Sequence, residues 1–245
     1  MSKEGHTRAM TKQLTAAGIM WLVLVGSASA ATITFATAPA ATDTDAEPVN
    51  ASASIMTGNG TVTVVLTDLE GNPISAGQLI SDFMFTLSSA PSSALSTTVT
   101  PMDTSLVCIG VSPCPTTILP WGLTSSGSVV TLDKLATGPS ELIIGPGPYT
   151  QANGSIDGNA AHNPFLDQTA TFTFSVPGVT ATTGVTAASF SFGTGGNDIV
   201  PGVPGGGGGG GGGGVVPEPA SLGLVAIGGL MLLIGRMRRS RATRF

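Results

Sequence analysis

Strict alternation of apolar and hydroxyl-bearing side chains is the property that most limits what this chain can fold into. From Thr61 to Thr67, Val62, Val64 and Leu66 alternate with Thr61, Thr63 and Thr67, interrupted only by Val65. A period of two puts one set of side chains on each face of an extended segment, so this stretch reads as a half-buried strand. The same pattern recurs at Phe83, Phe85 and Leu87, at Phe172, Phe174 and Val176, and at Phe190 and Phe192. Shorter strands are expected at Thr32–Phe35, Val129–Leu132 and Glu141–Ile144.

Turn chemistry separates these segments. Asp68-Leu69-Glu70-Gly71-Asn72-Pro73, Gly145-Pro146-Gly147-Pro148 and Val176-Pro177-Gly178 combine residues that favour positive φ, fix φ or remove a backbone donor. No part of residues 31–200 holds a helical period. Several short strands punctuated by Gly and Pro predict an all-β, sandwich-like single domain over 31–200, which is long enough to bury one core. The stretch from Ser88 to Gly127, rich in Ser, Thr and Pro, is expected to be a long excursion with little regular structure.

The two ends differ in composition from this middle. Lys3, Arg8 and Lys12 precede an apolar run from Leu14 to Gly26, and Ala28-Ser29-Ala30 supplies small residues at cleavage positions. Residues 1–30 therefore predict a secretory signal peptide, cut after Ala30 or, as a second choice, after Ala31. An uncleaved anchor is the alternative, and the short run disfavours it. Ten consecutive glycines, Gly205 to Gly214, lie in a stretch at 201–215 that reads as a flexible linker with a reach of roughly 17 Å. A phosphate-cradling loop would need a following Lys-Ser or Lys-Thr, which is absent.

Beyond the linker, Pro217-Glu218-Pro219 is followed by an uncharged apolar run from Ala220 to Gly235 and by Arg236, Arg238, Arg239, Arg241 and Arg244. As a transmembrane helix, 220–235 would extend about 24 Å, a marginal span of a hydrocarbon core roughly 30 Å thick. Clustered arginines stay on the cytoplasmic side, so the C-terminus would point inward. The two prolines keep the tripeptide extended and outside the membrane.

Residues 216–239 resemble the PEP-CTERM sorting signal found in Gram-negative exopolysaccharide producers. The likeness rests on Pro217, Glu218 and Pro219, the short span, and Arg236, Arg238 and Arg239. It implies recognition by an exosortase, removal of the tail, and release or transfer to the cell surface. The stretch from Ala170 to Gly193 also resembles the region before the linker in exported acidobacterial PEP-CTERM proteins, and brings no active site with it. An uncut C-terminal anchor is the competing reading of the tail.

Removing both ends changes the charge balance. The chain has nine Lys and Arg, of which only Lys134 lies between the two processing signals, and fourteen Asp and Glu, of which only Glu4 and Glu218 lie outside. Twelve carboxylates against one lysine leave the exported region near minus eleven. Binding to nucleic acid or an anionic lipid surface needs clustered Lys and Arg, so both partners are excluded for that region.

Cys108 and Cys114 form an even pair at short spacing in a chain expected to be exported, which predicts a disulfide. A metal site is the alternative. It would need two more ligands, and His162 is the one histidine outside the leader.

Motifs for catalysis are incomplete. Gly138-Pro139-Ser140-Glu141-Leu142 lacks the closing glycine of a nucleophile elbow, and Asp103-Thr104-Ser105 is a single imperfect echo of a paired aspartic-protease loop. Trp121 and Tyr149 are the only candidates for sugar platforms, and His162 reads as a hydrogen-bonding loop residue. No cofactor motif is found, and the chain is not expected to be an enzyme. Asp43, Asp45 and Glu47 alternate as in some calcium loops, without the glycine and distal glutamate of an EF-hand, and are expected in a solvated loop. Asp68 and Glu70 are expected in a hairpin turn, and the triplets at Asn50, Asn59 and Asn153 in turns.

The chain as a whole reads as an exported structural protein of the surface or extracellular matrix, with exosortase and signal peptidase as processing enzymes and an exopolysaccharide as a candidate partner. It would touch the membrane only through its C-terminal helix, before processing. A carbohydrate-binding or calcium-dependent adhesion module is the alternative, and a secreted hydrolase a more distant one.

Overall fold

The computed structural model describes residues 32–196 and 198–205. The signal peptide expected at 1–30 with Ala28 and Ala30, the linker expected beyond Gly205, the expected sorting residues Pro217, Glu218, Pro219, Arg236, Arg238 and Arg239, and the helix expected at 220–235 lie outside them. Within them the protein is all-β, and no α-helix interrupts it.

Thirteen strands follow one another as β1 (Thr32–Thr37), β2 (Ala51–Thr57), β3 (Thr61–Asp68), β4 (Ile80–Leu87), β5 (Ser96–Val99), β6 (Leu106–Val107), β7 (Trp121–Ser126), β8 (Val129–Asp133), β9 (Ile143–Ile144), β10 (Phe165–Asp167), β11 (Thr169–Ser175), β12 (Val185–Phe192) and β13 (Asp198–Pro204). All thirteen belong to one sheet, ten of them along the path β11-β3-β2-β1-β13-β12-β4-β8-β7-β5, with β9 joined to β4 and β10 linking β9 to β6 off that path. The sheet is antiparallel throughout this path and almost closes on itself. Met102, just past β5, pairs with Thr171 of β11 across the remaining seam.

Strand β13 explains how the sheet turns. Its first half pairs with β12 (Phe192↔Asp198 through Ser189↔Pro201), while its second half pairs with β1 (Thr37↔Gly202 through Phe35↔Pro204). Each half thus has one unpaired side. Proline has no amide donor for a ladder and is normally kept from strands paired on both sides. Pro201 stands where the partner changes and Pro204 where only β1 is paired, so both are accommodated. Those two prolines hid the strand from periodicity, and it runs to Pro204, past the boundary expected at 200.

Inward-facing positions form one core. Val62, Val64 and Leu66 of β3, Phe83, Phe85 and Leu87 of β4, Phe172 of β11, and Phe190 and Phe192 of β12 are all buried, as the alternation predicts. Phe83 packs on Phe190 with ring centroids 5.2 Å apart, and Trp121 packs on Phe172 at 5.0 Å. Leu79, Leu142, Ile144, Ile156 and Phe165 form a second cluster beneath the loops at one end.

Two expectations need correction. The stretch Ser88–Gly127 contains β5, β6 and β7, and β7 lies between β5 and β8. Only Trp121 and Leu123 of β7 are large and apolar, too few to register as a periodic segment. The strand expected at Glu141–Ile144 shrinks to Ile143–Ile144, because Glu141 takes a φ of +63° and breaks the extended run.

Candidate functional surface

The cysteines are joined, with Cα atoms 5.7 Å apart. The small ring they close is held against the loop at 153–163. Asn163 Oδ1 accepts the Ile109 amide at 2.8 Å, and the Gly158 amide donates to the Ile109 carbonyl at 3.0 Å. His162 lies in the same loop, its Nδ1 2.6 Å from the Ser155 carbonyl, which assigns the ring proton to that nitrogen. Asn153 accepts the Ser155 amide at 2.8 Å in a tight turn.

Lys134 is the one Lys or Arg in residues 31–215, and its side chain is fully buried at 0% exposure. Its Nζ donates to Thr137 Oγ1 at 3.2 Å and to the Pro120 carbonyl at 3.4 Å. Burial lowers its pKa, opposed by the charge of Glu141. Glu141 is also buried, and its Oε2 accepts the Leu119 amide at 2.7 Å while its Oε1 has no partner. Burial raises the Glu141 pKa, with the Leu119 amide and Lys134 pulling the other way. Among the described residues, no lysine or arginine therefore reaches the surface.

The carboxylates sort differently from the sequence expectation. Asp45 is exposed, as a solvated loop predicts, but Asp43 is buried and its Oδ1 accepts the Glu47 amide at 2.7 Å. Glu47 in turn accepts the Ser75 hydroxyl, and Asp198 accepts the Thr44 amide at 3.1 Å. Burial and the charges of Glu47 and Asp198 raise the Asp43 pKa against the stabilising amides of Glu47 and Asp45. Asp68 is not in a turn. It ends β3 at 0% exposure, with its Oδ1 accepting the Glu70 amide at 3.0 Å and its Oδ2 unpartnered, and burial pushes its pKa well up. Asp82 and Asp133 stand directly opposite on β4 and β8. No group of three or more His, Cys, Asp or Glu side chains among the described residues is placed to hold a metal ion.

Neither aromatic candidate offers an open platform. Trp121 is fully buried in the core, and Tyr149 is half-buried with its hydroxyl donating to the Gly145 carbonyl at 3.0 Å. Ser140, Asp103 and His162 lie on separate loops, and the fold does not bring these three side chains into hydrogen-bond contact with one another.

The outward side of β1, β2, β3 and β11 carries the other half of the alternating pattern. Register aligns Thr34, Ser54, Val65 and Thr171 in one row, and Ser52, Thr67 and Thr169 in the next. A third row contains Thr63 and Thr173 beside Met56 and Thr32, and Thr61 faces Ser175 at the end. Val65, Met56 and Ala36 are the only outward positions without a hydroxyl, and none is charged. Thr63 and Thr173 are hydrogen-bonded through their Oγ1 atoms at 3.1 Å, Thr67 and Thr169 at 3.2 Å. Sequence periodicity marked the β3 and β11 halves of this face. The alignment of β11 with the other three strands depends on pairing with β3 across more than a hundred residues, which no local signal carries.

No family model, no curated protein and no solved structure matches the chain.

Proposed function

We propose that the protein is an exported structural component of the cell surface or extracellular matrix, associated with biofilm or exopolysaccharide and processed at its C-terminus by an exosortase. The supporting observation is the exterior of the domain: hydroxyl-rich β-surface and carboxylates, with the one basic side chain buried. Such a surface repels polyanions and suits a neutral, hydrated surrounding. In this reading the two halves of the curled sheet face each other as the layers of a sandwich, joined through the strand that changes partners. The glycines would hold that body clear of the membrane while Pro217-Glu218-Pro219 is engaged.

The test is mass spectrometry of the mature protein from cells with and without the exosortase. A chain that starts at Ala31 or Thr32 in both strains, and loses its C-terminal segment only where the exosortase is present, is the expected result. An uncut C-terminus in both strains would refute the processing claim.

A further inference from the structure

We propose that the outward face of β1, β2, β3 and β11 binds a neutral, hydroxyl-rich polysaccharide, laid across the rows of threonine and serine. The proposal rests on the matrix role above for its biological setting, and on the face itself for its chemistry.

A hydroxyl both donates and accepts, so a surface of hydroxyls meets sugar hydroxyls in either role. A charged side chain covered by a neutral polymer would lose its hydration without gaining a counter-charge. The outward positions of these four strands contain no such side chain. Threonine adds a methyl group beside each hydroxyl, which supplies apolar contact for the C–H faces of a sugar ring. Adjacent strands are about 4.8 Å apart and alternate residues about 6.7 Å apart along a strand, so the rows present contacts at the scale of successive sugar units.

The paired hydroxyls also prepare the face for binding. The Thr63–Thr173 and Thr67–Thr169 bonds fix the χ1 angles of four neighbouring side chains that are already limited by β-branching. Each pair uses one proton internally and keeps one to donate, so part of the ordering cost of binding is met in the free protein. A rigid crystalline partner such as ice fits less well. Met56 stands out of the face at 42% exposure, Val65 interrupts a row of hydroxyls, and a strand set that curls toward closure is not flat. A flexible polymer chain can follow that curvature.

The experiment is a pull-down of the purified protein spanning residues 31–215, which leaves out the basic residues of both ends, with insoluble cellulose, mannan and β-1,3-glucan, with alginate as an anionic control and ice-affinity partition as a rigid-surface control. Binding to at least one neutral polysaccharide is expected, with none to alginate. Thr63→Val with Thr173→Val keeps the shape and strand preference of both residues and removes two hydroxyls. A loss of about tenfold to thirtyfold in affinity is expected, at about fivefold for each hydrogen bond removed. Thr124→Val with Thr131→Val, an outward pair on β7 and β8, should leave binding unchanged. Thr173→Lys alone, at an exposed position, should abolish binding while the melting temperature stays near that of the parent. Absence of binding to every neutral polysaccharide, retention of binding in both Thr173 variants, preference for alginate, or partition into ice alone would each overturn the proposal. Because binding is read directly, its failure leaves the C-terminal processing claim standing, and an uncut C-terminus leaves the binding claim standing.

Discussion

Raising the pH from 4.5 to 8 should destabilise this protein through one pair of carboxyls. Asp82 and Asp133 are cross-strand partners on β4 and β8, and Asp82 is buried at 9% exposure. Burial first, then a hydrogen bond and repulsion from Asp133, push Asp82 up to about 7, against the stabilising amides of Leu135 and Lys134. In the unfolded chain Asp82 releases its proton near the ordinary value of 3.8. Between those two values folding therefore takes up a proton, so stability is fully present below about 4 and falls until about 7. About three pH units at about 1.4 kcal/mol each give an upper bound of about 4 kcal/mol. Solvent access on the open side of the pair reduces this to about 2–3 kcal/mol, or about 5–10 °C in melting temperature for a domain of this size. Asp68, Asp43, Glu70 and Glu141 are shifted in the same direction and add to the slope. Asp82→Asn isolates the pair. Its amide retains the acceptor for the Lys134 N–H, 3.1 Å away in the parent, and replaces the titrating proton of Asp82 with a permanent donor. Thermal unfolding of both proteins at pH 4.5, 6, 7 and 8 should show a slope shallower in the variant by about 2–3 kcal/mol. A parent whose melting temperature is flat or rises across this window, or a variant that keeps the whole slope, would refute the reasoning.

Two further substitutions probe the interior. Lys134→Met removes the donors to Thr137 Oγ1 and the Pro120 carbonyl together with the charge that favours ionised Glu141, and should cost about 1–3 kcal/mol in chemical denaturation at pH 7, whereas Lys134→Met combined with Glu141→Gln should restore part of that loss. Phe172→Ala removes the ring that packs on Trp121 at 5.0 Å and should cost about 3–5 kcal/mol, with a red shift of tryptophan emission as water gains access.

The local part of this fold was legible and the long-range part was not. Val62, Val64, Leu66, Phe83, Phe85, Phe172 and Phe190 alternate visibly, and each is buried where the period places it. Strand β7 was hidden because Gly122 and its serines dilute the pattern, and β13 because proline counts against a strand until the change of partner along it is known. The disulfide could be inferred from the spacing of Cys108 and Cys114 and the expected export. The burial of Asp43, Asp68 and Lys134 could not, because each side chain is covered at least in part by another segment of the chain. Asp43 meets Gly77, Asp68 lies next to the loop at Gly145, and Lys134 sits beneath Pro120 and Thr137.

The burial of Lys134 carries a functional consequence beyond stability. A lysine on the surface would give the domain one point of attraction for anionic polymers, and it would break the charge-free character that the hydroxyl rows share. Withdrawn beneath Pro120, it contributes a local charge opposite Glu141 and presents nothing outside. The exterior field of the described residues is then set by carboxylates alone, which disfavours the approach of a polyanion to this domain. Recognition has to come from short-range, uncharged contacts. A binding reaction built that way depends little on ionic strength, because no counterions are released when a neutral polymer docks. Affinity for neutral polysaccharide measured at about 50 mM and about 500 mM salt should therefore agree within about twofold, whereas a steep loss at high salt would show that charged groups carry the contact.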